Sequence, residues 1–212
     1  MKRGVVALVA VFALAGATYI LGYSTFFTVS VVEVVGSNKP IDTGIVKGQK
    51  LARVEPRAVV SKLEMLDWVE SADVSRNWIN GKVVVQLVQR TPIAIYKDQV
   101  IDSYGSSFIP QGASPEGLIE IFAASIEDAT RAVAFFTELP QEITSTLSVV
   151  KVRATGAYVL IVENNGKNVE LRWGIDSENE LKARVYKALI ALPENVDLKR
   201  VDVSAPHAPI VK

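Results

Sequence analysis

The chain has no cysteine and only one histidine, His207. Without thiols there is no disulfide framework and no thiolate metal centre. A single imidazole supported only by carboxylates is a poor donor set for zinc. Beside Pro206 and near the end of the sequence, His207 reads as a solvated surface residue. The lack of cysteine also suits an oxidising space, where a stray thiol is a liability. A basic stripe is missing as well. The 23 Lys and Arg balance the 23 Asp and Glu, and beyond Lys2 and Arg3 there are 21 basic residues against 23 acidic, a net charge of −2. Nucleic-acid binding needs concentrated positive charge, so no nucleic-acid partner is expected. No Gly-x-Ser-x-Gly, His-Glu-x-x-His or phosphate-cradling glycine loop occurs. Glu178 and Glu180 are neighbours, but carboxylates in a first helical turn are what the helix dipole favours. The expectation is a non-enzyme with no catalytic residues, no cofactor and no metal ligands.

Charge is absent from one long stretch. After Lys2 and Arg3 the first charged residue is Glu33. Gly4–Leu21 is strongly apolar, and extension to Phe27 brings it within the roughly 17–25 residues that cross a bilayer. Tyr19, Tyr23, Phe26 and Phe27 gather at the far end, where aromatic rings favour the lipid–water interface. Lys2 and Arg3 favour a cytoplasmic N-terminus with the bulk of the chain outside. A competing reading is a cleaved signal peptide, since Ala13-Leu14-Ala15 before Gly16 has the small-x-small form. The apolar run through Tyr19-Ile20-Leu21 favours a retained anchor. Ala13 and Ala17 form a small-x-x-x-small pair that can bring helices together, a spacing common in spans.

Beyond this segment the pattern alternates strands and helices. The 212 residues suffice for one anchor and two domains of roughly 70–110 residues each. Thr28–Val35 is a β-branched run that reads as a strand, and Ile41–Val54 as a short helix or loop. Pro56 suits a first helical turn, followed by Val59, Leu63 and Leu66 on one face. A hairpin over about 69–89 turns at Asn80-Gly81. Thr91-Pro92 marks a seam. Leu118–Ala123 reads as a strand, and Ser125 with Asp128 as a capping box before a helix that Pro140 ends. Val149–Arg153 is a strand. Tyr158–Glu163 and Val169–Trp173 flank Asn164-Asn165-Gly166-Lys167 as a second hairpin. Ser177 with Glu180 forms a capping box for a helix carrying Leu181, Val185, Ala188 and Leu192 on one face. Val201-Asp202-Val203 and Ile210-Val211 are the last strands. Trp68, Trp78 and Trp173 read as core or seam residues, and Arg76 as a residue on the hairpin surface.

Four fragments in this order carry a resemblance. They are Phe27-Thr28-Val29 through Val34-Val35-Gly36-Ser37; Trp68 through Trp78; Gln89-Arg90-Thr91-Pro92-Ile93-Ala94; and Ile101-Asp102-x-x-Gly105. Following an apolar segment, they resemble the FtsQ/DivIB family of bacterial cell-division proteins. Asp67 and Ile79 stand where that family has proline, Gln89 where it has glutamate, and the tail before the apolar segment is only three residues. The resemblance implies an α+β protein: a cytoplasmic tail (1–3), one N-terminal transmembrane helix (4–27), a small POTRA-type α+β domain (28–94) and a mixed β domain with helices (95–212). It implies a non-enzymatic scaffold in the plasma membrane at the division septum. It also implies partners among divisome membrane proteins, namely FtsB-type and FtsL-type coiled-coil proteins.

The family's partner contact near the end of the β domain corresponds to Val201-Asp202-Val203-Ser204 through Ile210-Val211-Lys212. Val201, Val203, Ser204, Ile210 and Val211 are the expected partner-binding residues. An edge strand there can template an incoming strand, and Pro206 and Pro209 confine pairing to the flanking stretches. The alternative, that this tail only completes the domain's own sheet, stays open. Two other functions stay open as well. A POTRA-bearing assembly or secretion component would continue into a barrel of roughly 10-residue strands, for which these residues leave no room. An envelope hydrolase would need a site that no motif reveals.

Overall fold

The computed structural model describes residues 2–23, 27–112 and 115–212, with side chains from Gly4 to Tyr19 in the first helix. The chain forms two compact units that divide between Arg90 and Thr91. In the first unit, α1 (Lys2–Tyr23) is a 22-residue helix. Its described side chains, 4–19, are all exposed. Among the described residues no helix is long and apolar enough to cross a membrane. The side chains of Lys2, Arg3, Tyr23 and Phe26, on which the topology and aromatic-belt expectations rest, lie outside the described residues.

The rest of the first unit is β1 (Val31–Val35), α2 (Pro56–Glu64), β2 (Val69–Asn77) and β3 (Lys82–Gln89). The strand order is β1-β3-β2. β3 runs parallel to β1, with Val31 opposite Lys82, and antiparallel to β2, with Asn77 opposite Lys82. A parallel pair needs a long crossover, and the stretch holding α2 supplies it. Alternation along β3 turns Val83, Val85 and Leu87 inward, where they pack with Val29, Leu51, Val54, Leu63, Val69 and Val74. Pro56 lies in the first turn of α2, where a missing N–H costs nothing.

Two local details go beyond the sequence pattern. The hairpin turns at Asn80-Gly81 as expected, but within a four-residue loop, because Asn77 pairs with Lys82. The Asn77 carbonyl accepts the Gly81 N–H at 3.0 Å, and its side-chain oxygen accepts the Ile79 N–H at 3.0 Å. Gly81 has φ +71°, and a Cβ there would sit 2.4 Å from the Thr28 oxygen, so only glycine fits. Arg76 is half-buried rather than a plain surface residue. Its Nη1 donates to the Leu51 carbonyl (3.0 Å) and the Val54 carbonyl (2.8 Å), supplying donors to irregular backbone around the 3₁₀ turn at Leu51–Arg53.

The second unit holds β4 (Pro92–Tyr96), β5 (Gln99–Asp102), β6 (Ser107–Phe108), β7 (Ile119–Phe122), α3 (Ile126–Thr137), α4 (Gln141–Thr144), β8 (Leu147–Val152), β9 (Tyr158–Asn164), β10 (Lys167–Gly174), α5 (Asn179–Ile190), β11 (Arg200–Asp202) and β12 (Ile210–Val211). They make one nine-stranded sheet in the order β12-β11-β10-β9-β8-β7-β4-β5-β6. The pairs β7–β8 and β10–β11 are parallel, and their crossovers carry α3 with α4, and α5. Ala129, Ala132, Val133, Phe135 and Phe136 of α3 and Ala183 and Tyr186 of α5 share one core with Leu160, Val162, Leu171 and Trp173. Phe135 stacks on Tyr158, with centroids 3.9 Å apart. The β9–β10 connection is the expected two-residue turn, with Asn165 and Gly166 both at positive φ, +51° and +73°.

Sequence patterning did not anticipate β4, β5 and β6. The buried Asp102 shapes the bend between β5 and β6 by accepting the N–H groups of Tyr104 (2.9 Å) and Ser106 (2.8 Å). Ser125 caps α3 as expected, accepting the Asp128 N–H at 3.2 Å. The Ser177–Glu180 box does not form. The residue before α5 is Glu178, in the left-handed region at φ 51°, with no side-chain cap. Asn179 instead accepts from Trp173 Nε1 (2.8 Å) and donates to Asp176 (2.7 Å). That tie sets the roll of the helix, so Lys182, Ala183 and Tyr186 are buried while Ala188 and Leu192 are exposed. Lys182 is only 1% exposed. Its Nζ donates to the Ile175 carbonyl at 2.8 Å, and burial pushes its pKa below the ordinary lysine value.

Lys182→Ala removes a donor and opens a cavity, which should cost about 2–3 kcal/mol in urea unfolding. Lys182→Met keeps the volume and should recover more than half of that loss. Equal losses for both variants would mean that the hydrogen bond, not the packing, matters most.

Candidate partner-binding edge

β11 alternates, and its inward residue Val201 is fully buried, as is Val203 just beyond it. The Val203 N–H donates to the Arg172 carbonyl at 2.9 Å, inside the domain's own sheet. Both valines therefore hold the tail onto the core and present no free face. Ser204 is exposed, and its N–H and Oγ both donate to Asp202 Oδ1, at 3.0 and 2.6 Å. The chain then turns, with the Ala208 N–H donating to the Ala205 carbonyl at 3.0 Å and Pro206 at the second turn position. His207 is exposed, with Nε2 4.0 Å from a Glu178 carboxylate oxygen.

β12 then returns antiparallel to β11, with Val211 opposite Val201 and Ile210 opposite Asp202. Arg200 and Lys212 exchange both backbone bonds, each 2.9 Å. Bonded and non-bonded pairs alternate along an antiparallel ladder. The Val201–Val211 pair is therefore non-bonded, and the N–H and C=O of Val211 point away from β11. β12 is the last strand in the sheet order. Ile210 is 67% exposed and Val211 39%. Of the five expected residues, the structure places Ile210 and Val211 on the edge, Ser204 on the loop leading to it, and Val201 and Val203 in the core.

The sheet face opposite the helices continues this edge. Register sets Lys151, Val159, Arg172, Asp202 and Ile210 side by side across β8 to β12. A shallow groove of about 400 Å³ lies there, lined by Arg153, Tyr158, Val159, Arg172, Asp202 and Ser204 among others. Glu170 accepts from Arg172 Nε (3.0 Å) and Arg200 Nε (2.8 Å), and Arg172 Nη1 lies 4.0 Å from Asp202. Burial tends to raise the Glu170 carboxyl, but the two arginine hydrogen bonds and charges outweigh it and hold the pKa below the ordinary value. Gly174 closes β10 at φ +79°, and a Cβ there would sit 2.8 Å from Ser204 Cβ. Arg153, Arg172 and Gly174 were not singled out by sequence. A glycine ending the alternating arm 169–173 was the available signal. Among the described residues no three His, Asp or Glu side chains group to hold a metal.

Comparison with known proteins bears on this unit. The family model described as cell division protein FtsQ/DivIB, C-terminal, matches residues 93–204. The match takes in the sheet up to β11 and ends six residues before β12. Cell division protein FtsQ of Corynebacterium glutamicum is 31% identical over 150 residues, which cover 66% of this chain and 66% of that relative. The aligned stretch thus spans just under two thirds of the relative's length.

The lowered Glu170 pKa sets a sign for pH dependence. Its stabilisation is full above the ordinary glutamate range and is lost as pH falls through the lowered folded value. Glu170→Gln should cost about 1 kcal/mol at neutral pH, because the arginines are partly exposed. The difference from the parent should shrink in acid unfolding titrations. A deficit that stays constant down to the most acid pH would show that charge is not its origin.

Proposed function

The chain belongs to the FtsQ/DivIB family of cell-division proteins, and from that premise we propose that it is a non-enzymatic scaffold of the division septum. Residues 4–27 anchor it in the plasma membrane, with the N-terminus in the cytoplasm and the bulk outside. The uncharged run after Lys2 and Arg3 supports that topology. Residues 28–94 act as a POTRA-type recruitment module, and residues 95–212 bind the partner membrane proteins, FtsB-type and FtsL-type coiled-coil chains.

One observation carries this reading. β12 ends the sheet order, and Val211 turns its N–H and C=O outward. An incoming strand can take up both groups, with Ile210 as an apolar contact beside it. Pro209 has no N–H, so the edge offers a short and specific register rather than a long sticky one.

Val211→Pro in the full chain removes the outward donor but no bond of the domain's own ladder. Circular dichroism and melting should be nearly unchanged, while capture of the FtsB-type and FtsL-type pair weakens at least tenfold, about 1.4 kcal/mol. A folded variant that binds with unchanged affinity would rule out strand addition at β12.

A further inference from the structure

The first unit carries an apolar tip that neither its own core nor the partner edge uses. Ile79 is 98% exposed, Trp78 36% and Val46 64%. A single exposed apolar side chain is ordinary on a protein surface. The placement of these three is not, because their two loops both bond to residues 29–30, six and seven positions after the last residue of α1. In the loop at 78–81, the Asn80 carbonyl accepts from Ser30 Oγ at 2.6 Å, and the Gly81 carbonyl accepts the Ser30 N–H at 2.8 Å. The Trp78 ring meets Phe27 edge to face, with centroids 6.1 Å apart. In the loop at 46–50, the Gln49 carbonyl accepts the Val29 N–H, and the Gly48 N–H donates to the Val29 carbonyl, each at 2.8 Å. Residues 27–30 are thus clasped by both loops.

Phe27 follows Tyr23, the last residue of α1, by four positions. Four residues reach at most about 14 Å. Neither loop contains an acidic residue, and the 46–50 loop carries Lys47 and Lys50. Tryptophan favours the headgroup level, and lysines beside it favour anionic headgroups. We infer that the hairpin tip, Trp78 and Ile79, together with Val46 of the other loop, seats in the phospholipid interface and fixes how the first unit stands on the membrane. This inference rests on the anchor reading of residues 4–27. The ties from Asn77 to the Ile79 and Asn80 N–H groups, at 3.0 and 3.3 Å, hold the tip in shape without lipid. Ile79 is therefore presented on a preformed loop.

The absence of cysteine makes the test clean, because each introduced cysteine carries the only label. The full chain is placed in vesicles of mixed zwitterionic and anionic phospholipid. An environment-sensitive fluorophore is attached to Ile79→Cys, to Met65→Cys (79% exposed, after α2) or to Phe12→Cys (within α1). The Ile79 label should emit to the blue of the Met65 label and be quenched about twofold more by lipids spin-labelled near the headgroup. The Phe12 label should be quenched by lipids spin-labelled deep in the chains. Phe12 quenching with an Ile79 signal no greater than that of Met65 overturns the inference and leaves the anchor standing. No quenching at Phe12 overturns the anchor, and the inference with it.

Discussion

The hydrogen bond from the Val203 N–H to the Arg172 carbonyl is the contact on which the β12 edge depends. It carries β11 one residue past its last paired position and sends the chain into the 204–209 loop. Because Val201 and Val203 are both buried, the tail cannot slide by one residue without turning two apolar side chains out to water. The register of β12 follows from that constraint, and so does the outward direction of the Val211 backbone. Gly174 makes the arrangement possible, since any side chain there would strike Ser204.

A second constraint keeps the edge and the adjoining sheet face clear. Both long helices of the second unit pack on the same side of the sheet, through Phe135 and Tyr186 against a core that includes Trp173. The Trp173–Asn179 bond and the buried Lys182 fix the start and roll of α5. The opposite face is left to a row of mixed character, with Val159 between Lys151 and Arg172 and an ion-paired patch around Glu170. Such a surface is polar enough to remain in water without a covering layer.

Much of this was legible where the signal is local. Asn165-Gly166 demanded a two-residue turn, Ser125 a cap, and Pro56 a helix start, and each is found. The misses share a cause: the deciding contact is distant in sequence. Ser177 looked like a cap, but the start of α5 is set by Trp173 reaching Asn179. Arg76 looked exposed, but its partners are carbonyls 22 and 25 positions away. All five residues expected at the β12 edge lie in the tail, yet composition could not sort them. Whether a valine of a short strand faces the core or the edge depends on register, and register is decided by β10 and Gly174. The strands β4 to β6 are short and broken by turns, which leaves little periodicity in the sequence to read.

In the proposed function, β12 accepts a strand through the backbone of Val211. Amide hydrogen exchange, residue by residue, tests it most directly. Without partner, the Val211 amide should exchange quickly while that of Val203 is protected. With the proposed coiled-coil partners bound, Val211 exchange should slow at least about tenfold and Val203 should be little changed. Bound partners that leave Val211 exchange as fast as before would contradict the claim.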